Sequence, residues 1–216
     1  MLFQDRPSAG KQLAARLAFL RDTPNVLVLG IPRGGVVVAA EIAHALTAPL
    51  DVFLAHKLGA PFNPELAMGA LTSAGEIVLD DALIDELDIR PDALAREIEF
   101  QRAEIARRAR AYRGERRPLA LENKIVVVVD DGIATGLTML ATLRAIRHMQ
   151  PARVILATPV AARDALERLT RECDQIVVLA MPEPFWAVGR YYARFDQTGD
   201  AQVIALLAAA RDCAAG

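Results

Sequence analysis

Apolar residues gather in five short runs along the chain, at 25–30, 51–56, 124–130, 153–159 and 175–180, each rich in Val, Ile, Leu or Phe. Runs of that length predict strands covered on both faces, as in a parallel sheet. Stretches with helical spacing separate them, at 35–46, at 139–149 with Leu140, Leu143 and Ile146 on one face, and at 161–171. The alternation reads as repeated βα units and predicts an α/β fold with a five-stranded, mainly parallel sheet flanked by helices. Right-handed crossovers then bring every strand's carboxyl end to one rim. Residues 8–20 predict a further helix, with Ser8 as its N-cap and Leu13, Leu17 and Leu20 packed on the sheet.

Residues 58–123 form a long excursion between the second and third strands. It opens on Leu58-Gly59-Ala60-Pro61-Phe62-Asn63-Pro64, a loop signature, and admits a hairpin around Ser73-Ala74-Gly75. From Pro91 a long helix runs to about Tyr112, with Leu94, Ile98, Ile105, Ala109 and Tyr112 on one stripe. Arg107, Arg108, Arg110, Arg113, Arg116 and Arg117 crowd its end. A solvated face is the plainest account of such a run; a cationic lid over an anionic ligand and a homodimer contact are the alternatives.

Length and composition narrow the class. The 216 residues suit one domain, 1–216, in which 58–123 is a loop and helical insertion and 181–200 a small hood. A net charge of -2 gives no global attraction to nucleic acid or to acidic membranes. No apolar run reaches membrane-spanning length, and residues 1–10 lack the apolar core of a secretory signal, so a cytoplasmic location is expected. Cys173 and Cys213 match neither a metal spacing nor a redox pair and are read as reduced thiols, one buried and one near the end of the chain.

Chemistry concentrates at Val126-Val127-Val128-Val129-Asp130-Asp131-Gly132-Ile133-Ala134-Thr135-Gly136-Leu137-Thr138. A buried strand delivers two acids to its carboxyl end, where open α/β sheets place their ligands. The turn that follows opens a helix, so a phosphate there would meet unpaired backbone N–H groups and the positive end of a helix dipole. No Lys follows Gly136 as a Walker A loop requires, and no G-x-G-x-x-G is present. Gly30-Ile31-Pro32-Arg33-Gly34-Gly35 reads either as a plain strand–helix turn or as a second anion loop, where consecutive glycines let backbone approach a ligand and Arg33 can fork onto phosphate oxygens.

These stretches resemble the type I phosphoribosyltransferases, whose fold the strand pattern then implies. The resemblance assigns Asp130 and Asp131 to the ribose hydroxyls of phosphoribosyl pyrophosphate (PRPP), and Ala134, Thr135, Gly136, Leu137 and Thr138 to its 5′-phosphate. Arg33, Gly34, Gly35 and Lys57 fall to pyrophosphate, with Asp130, Asp131, Lys57 and Arg33 as the catalytic set. The family's pyrophosphate loop often holds a cis peptide before its basic residue, here Pro32–Arg33. Adenine and orotate members carry Arg-Lys where this chain has His56-Lys57, so the role of His56 stays open between packing and a pH-sensitive contact. Mg²⁺ is implied as cofactor, touching Asp130 and Asp131 only through hydroxyls or water.

The acceptor is implied to be a small nitrogenous base, and the resemblance names no particular one. Hypoxanthine-guanine members carry an Asp where this chain has Ala134, which resembles the adenine and uracil members instead. Phe185, Trp186 and Val188 in the hood are the base-binding candidates: Trp186 precedes Gly189 by the spacing of the aromatic that stacks on purine, but Ala193 replaces a later Asp. Residues 58–75, where the mobile catalytic loop is expected, contain Glu65 and no Lys or Arg, which leaves the arginines of 107–117 as candidates to replace it. Pro-Arg-Gly-Gly, His-Lys-Leu-Gly-Ala-Pro, the acid motif and Pro-Glu-Pro-Phe together resemble a bacterial phosphoribosyltransferase-like group of undefined acceptor, from about Phe3 to Leu206. A transferase, a noncatalytic PRPP or nucleotide sensor, and a phosphoribosyl-binding hydrolase all fit these residues.

Overall fold

The computed structural model describes residues 1–118 and 120–214; the side chains of Glu65, Asp212, Cys213 and Ala214 lie outside that description. In chain order the elements are α1 (Arg6–Arg16), β1 (Val26–Gly30), α2 (Gly34–Leu46), β2 (Leu50–Val52), β3 (Ala55–Ala60), β4 (Asn63–Thr72), β5 (Ile77–Leu79), α3 (Asp81–Glu86), α4 (Pro91–Arg113), β6 (Ile125–Val129), α5 (Leu137–His148), β7 (Arg153–Val160), α6 (Arg163–Leu169), β8 (Gln175–Ala180) and α7 (Asp200–Ala214). Five strands form a parallel sheet in the order β2-β1-β6-β7-β8, and β3, β4 and β5 form a separate antiparallel sheet.

β6 shows why this sheet is stable. It pairs with β1 and β7, and Val126 to Val129 are fully buried. Val127 and Val129 face a core built with Leu13, Leu17, Val36, Ile42 and Val203, while Val126 and Val128 face one built with Leu143, Ile146, Leu156 and Leu166. Successive strand side chains point to opposite faces, so a run of valines suits a strand with helices on both sides.

The strand order also creates the ligand crevice. From β1 the chain crosses to one side, to β2, whereas from β6 it crosses to the other, to β7. The turns that leave β1 and β6 therefore diverge, which opens a gap above the two neighbouring strand ends.

Three expectations change. The predicted second strand is split: pairing with β1 ends at Val52, and the chain then enters β3 of the hairpin sheet. The predicted loop after Leu58 is mostly strand, and only Pro61 and Phe62 separate β3 from β4. Its Gly59 reads as a loop residue but sits at a β-bulge, where an added Cβ would stand 2.8 Å from the Pro64 carbonyl oxygen. The hairpin at Ser73 to Gly75 does form between β4 and β5.

The first helix also begins earlier than Ser8 suggests. Asp5 is its N-cap and accepts from the Ser8 N–H at 2.9 Å, while the Ser8 hydroxyl accepts from the Asp5 N–H at 3.1 Å. Ser8 is thus the return half of a capping box, with Pro7 in the first turn. Asp5→Ala should lower the melting temperature by about 2–4 °C. The Ser8 N–H and Arg194 hold the Asp5 carboxyl below its ordinary value, so its contribution is present at neutral pH and lost on acidification through that depressed value. Melting curves that coincide at pH 7 would count against this cap.

The stripe on α4 is buried as expected at Ile105 and Tyr112 and partly buried at Leu94, Ile98 and Ala109. Its arginines are less uniformly solvated than the charge run suggests. Arg107 and Arg108 pair with Glu104, whose carboxyl they lower to about 2. Arg113 forks onto Asp51 at 3.2 and 3.3 Å and also donates to the Val52 carbonyl. Cys173 is buried and its thiol pushed up to about 11, as suits an inert core thiol; the Cys213 side chain lies outside the described residues. No helix among the described residues is long and apolar enough to cross a membrane.

Candidate functional site

The turn after β1 and the turn after β6 lie against each other. A Cβ added at Gly35 would stand 2.8 Å from the Val129 carbonyl oxygen and 2.9 Å from the Asp130 Cα, and one added at Gly34 would overlap the Asp131 carboxylate. Only glycine permits this approach. It brings together the two loops that the sequence marks for pyrophosphate and ribose, and the Pro32–Arg33 peptide is cis.

Both turns open helices without a side-chain cap. Arg33 is the N-cap of the thirteen-residue α2, and Gly136, at φ 80°, is the N-cap of the twelve-residue α5; neither provides a side-chain acceptor. The first N–H groups of these helices are thus served by no capping side chain, and the positive dipole ends flank the acids. In the second turn Ala134 and Thr135 are exposed, Leu137 is buried and Thr138 half-buried. Ile133 fixes that turn by donating to the Val160 carbonyl and accepting from the Ala162 N–H, both at 2.9 Å.

The two acids differ electrostatically. Burial, and then the negative charge of Asp131, push the Asp130 carboxyl well above its ordinary range. Its Oδ1 accepts from the Asp131 N–H at 2.8 Å. Asp131 Oδ2 accepts from Arg6 Nε at 2.6 Å, and its backbone carbonyl accepts from the Tyr192 hydroxyl at 2.6 Å. Burial beside these carboxylates keeps the Tyr192 phenol protonated by pushing its pKa up.

A cavity of about 770 Å³ adjoins the turn after β6. Ala134, Thr135 and Leu137 meet Leu66 and Ala67 of β4 and Phe185 and Trp186 of the hood there. Trp186 is 69% exposed, with Arg190 5.7 Å from its ring, while Phe185 packs on Tyr191. Val188 instead presses on Gly132, where an added Cβ would overlap its side chain, so it docks the hood onto the acid motif.

Lys57 belongs to the second sheet and not to the parallel one. It lies on β3, paired with Ala70 in the second sheet, because the strand that carries it leaves the main sheet after Val52. Neighbouring His56 faces α4: its Nδ1 lies 2.8 Å from Gln101 Oε1, and burial lowers its pKa. Since the Gln101 amide donates to Glu97, its oxygen accepts from His56 Nδ1, which fixes the orientation of the ring. This supports a packing role at the strand end.

Arg6, Tyr192 and Asp200 were not among the expected site residues. Asp200 accepts from the Tyr112 hydroxyl at 2.6 Å and from Arg107 at 3.3 Å, with Arg33 4.0 Å away, so the basic end of α4 is linked to the β1 turn through one carboxylate. No local signal marks these residues, since each meets its partner across a large sequence separation.

Among the described residues no group of three or more ligating side chains forms a metal cage. Two adjacent acids, one buried and one engaged by Arg6, fit an ion carried by a ligand and met through its hydroxyls or waters.

Comparison with known proteins gives these features a family. Residues 4–193 match the family described as phosphoribosyl transferase domain. A Mycobacterium tuberculosis protein named "Putative phosphoribosyl transferase Rv0571c" is 45% identical over 95% of this chain, which spans about half (46%) of that relative's length. The crystal structure of TT1426 from Thermus thermophilus is 44% identical, covers 96% of this chain and 98% of its own, and superposes with a TM-score of 0.78. Because the family match spans both glycine turns, the acid pair and the hood, the chain belongs to the phosphoribosyl transferase domain family.

Proposed function

We propose that the protein transfers a phosphoribosyl group from PRPP to a small nitrogenous base with release of pyrophosphate. The observation that carries this reading is the packing of Gly34 and Gly35 against Asp130 and Asp131, which sets two uncapped helix starts on either side of one acid pair. In this reading Asp130 and Asp131 orient the ribose hydroxyls, and Ala134 to Thr138 hold the 5′-phosphate through backbone amides and threonine hydroxyls. Arg33, Gly34 and Gly35 hold the pyrophosphate. Lys57, carried by β3, is read as the fourth pyrophosphate residue.

Attack of a base nitrogen at the ribose C1 carbon breaks the bond to pyrophosphate through a transition state with oxocarbenium character. Negative charge grows on the leaving group, so fixed donors beside it lower the barrier, and immobilising the ribose removes part of the entropic cost. Mg²⁺ bound with the donor would offset the pyrophosphate charge, with Asp130 and Asp131 as its protein neighbours through hydroxyl or water. Phe185 and Trp186 supply an aromatic wall for the acceptor in the larger cavity. Ala134 offers no proton acceptor, so the acceptor must lose its proton to another group.

A screen of purine, pyrimidine and pyridine bases with PRPP and Mg²⁺, scored by pyrophosphate release, tests the reading. Base-dependent release with formation of the matching nucleotide is the expected result. Release without any base would replace it with a hydrolase. Binding of PRPP with no turnover for any base would replace it with a sensor, for which the lack of any Lys or Arg within residues 58–75 is the favouring feature.

A further inference from the structure

The acid pair has a neighbour that arrives from the opposite end of the domain. Residues 2–4 run beside the hood segment: the N–H groups of Leu2 and Phe3 donate to the Tyr191 carbonyl, and those of Ala193 and Arg194 donate to the carbonyls of Phe3 and Gln4. This pairing delivers Arg6 to the β1 turn. Its Nε donates to Asp131, its Nη1 donates to the Asp196 carbonyl at 2.7 Å, and its guanidinium lies 3.8 Å from the centre of the Phe195 ring. A long flexible side chain is thus held on three sides with 11% of its surface exposed.

Between Arg6 and Arg33 lies a cavity of about 330 Å³, lined also by Gly34, Phe195, Gln197 and Thr198. It is separate from the larger cavity under Trp186. Its walls combine two guanidinium groups, a threonine, a glutamine and the start of α2. Arg33 is only loosely held, since 4.0 Å to Asp200 is an ion pair without a hydrogen bond. An incoming anion can therefore recruit it. Each guanidinium is a planar fork suited to phosphate oxygens, and Arg6 keeps donors beyond those that meet Asp131 and Asp196.

We propose that Arg6 is a donor-binding residue contributed by the N-terminal segment, forming with Arg33 the two walls of a diphosphate site. The ligand is a diphosphate group, either free pyrophosphate or that of the phosphoribosyl donor. This rests on the reading that Asp131 holds the donor's ribose. Arg6 then joins the two halves of the donor site: it fixes the Asp131 carboxylate on one side and faces the diphosphate on the other.

Calorimetric titration of the chain, Arg6→Gln and Arg6→Lys with Mg-pyrophosphate, PRPP and ribose 5-phosphate tests the assignment, with melting temperature recorded alongside. Arg6→Gln should weaken pyrophosphate and PRPP by about tenfold or more, and ribose 5-phosphate by a clearly smaller factor. Arg6→Lys should recover part of the pyrophosphate affinity, since charge returns without the fork. Equal pyrophosphate affinity in the original chain and Arg6→Gln would overturn the proposal. So would a uniform loss for all three ligands together with a lower melting temperature, which would make Arg6 only a clamp for the hood. If the unsubstituted chain bound none of the three ligands, the phosphoribosyl reading itself would fall; binding that ignores Arg6 removes only this assignment.

Discussion

Asp130→Asn is expected to raise stability while lowering donor affinity by about 10- to 100-fold. The carboxyl is buried beside the like charge of Asp131, and both effects push its pKa up. A folded-state value above the unfolded one means that the native protein binds more protons in the interval between them. Stability therefore falls as pH rises from the ordinary carboxylate value through the raised one, and at higher pH the full cost remains. An amide keeps the oxygen that accepts from the Asp131 N–H and removes the charge, so the variant should gain roughly 1 kcal/mol at neutral pH, about 2–4 °C. Ribose hydroxyls that donated to a carboxylate would then meet a weaker acceptor, at a cost of roughly 1.5–3 kcal/mol. Thermal melts across pH and titration with PRPP check both halves. A variant less stable at neutral pH would mean that the acid serves the fold, and unchanged PRPP affinity would remove it from the ribose site.

Arg113→Met carries the largest expected loss of stability, about 3 kcal/mol or more. Asp51 is 8% exposed at the centre of β2, between the buried Leu50 and Val52. Arg113 meets both of its oxygens, with side-chain exposures of 12% on each partner, and so fixes the end of α4 to the main sheet. A methionine of similar reach restores the packing of the stem but leaves the carboxylate without this counter-ion in a desolvated place. The melting temperature should drop by about 6–12 °C. Arg116, further along the same run, is exposed and among the described residues its side chain donates to the Arg113 carbonyl at 3.2 Å, so Arg116→Met should change stability by less than about 0.5 kcal/mol. Equal effects at the two positions would show that the run acts as a diffuse charge and not through one anchored member.

The contrast within that arginine run marks how far local pattern reaches. Arg107, Arg108, Arg113 and Arg116 look alike in sequence, yet one is bound to a buried acid, two are occupied by Glu104 one turn away, and one donates to a backbone carbonyl. The pairs to Glu104 lie within four residues and were in principle readable; the pair to Asp51 spans 62 residues and was not. The second strand fails for a related reason. Residues 51–56 have an unbroken apolar centre, Val52 to Ala55, and read as one strand, but sheet membership depends on which edge each half finds, and the chain changes sheets after Val52.

What the sequence determined by itself is whatever is contiguous along the chain. Four valines followed by two acids and a glycine-bearing turn specify a doubly covered strand that delivers carboxylates to a helix start, and the structure contains that unit with Val129 buried and Gly136 capping α5. The paired glycines after β1 were legible for the same reason. Tertiary structure decided which of these units meet. The reversal of strand order between β1 and β6 sets the two turns side by side, where burial lifts Asp130 out of its ordinary titration range, and the change of sheet after Val52 puts Lys57 in the other sheet. Pairing of residues 2–4 with the hood brings Arg6 to Asp131 across 125 residues. Backbone propensity and periodicity act over a few residues, whereas burial and charge act through space, so the parts of the site were written locally and their electrostatics only by the fold.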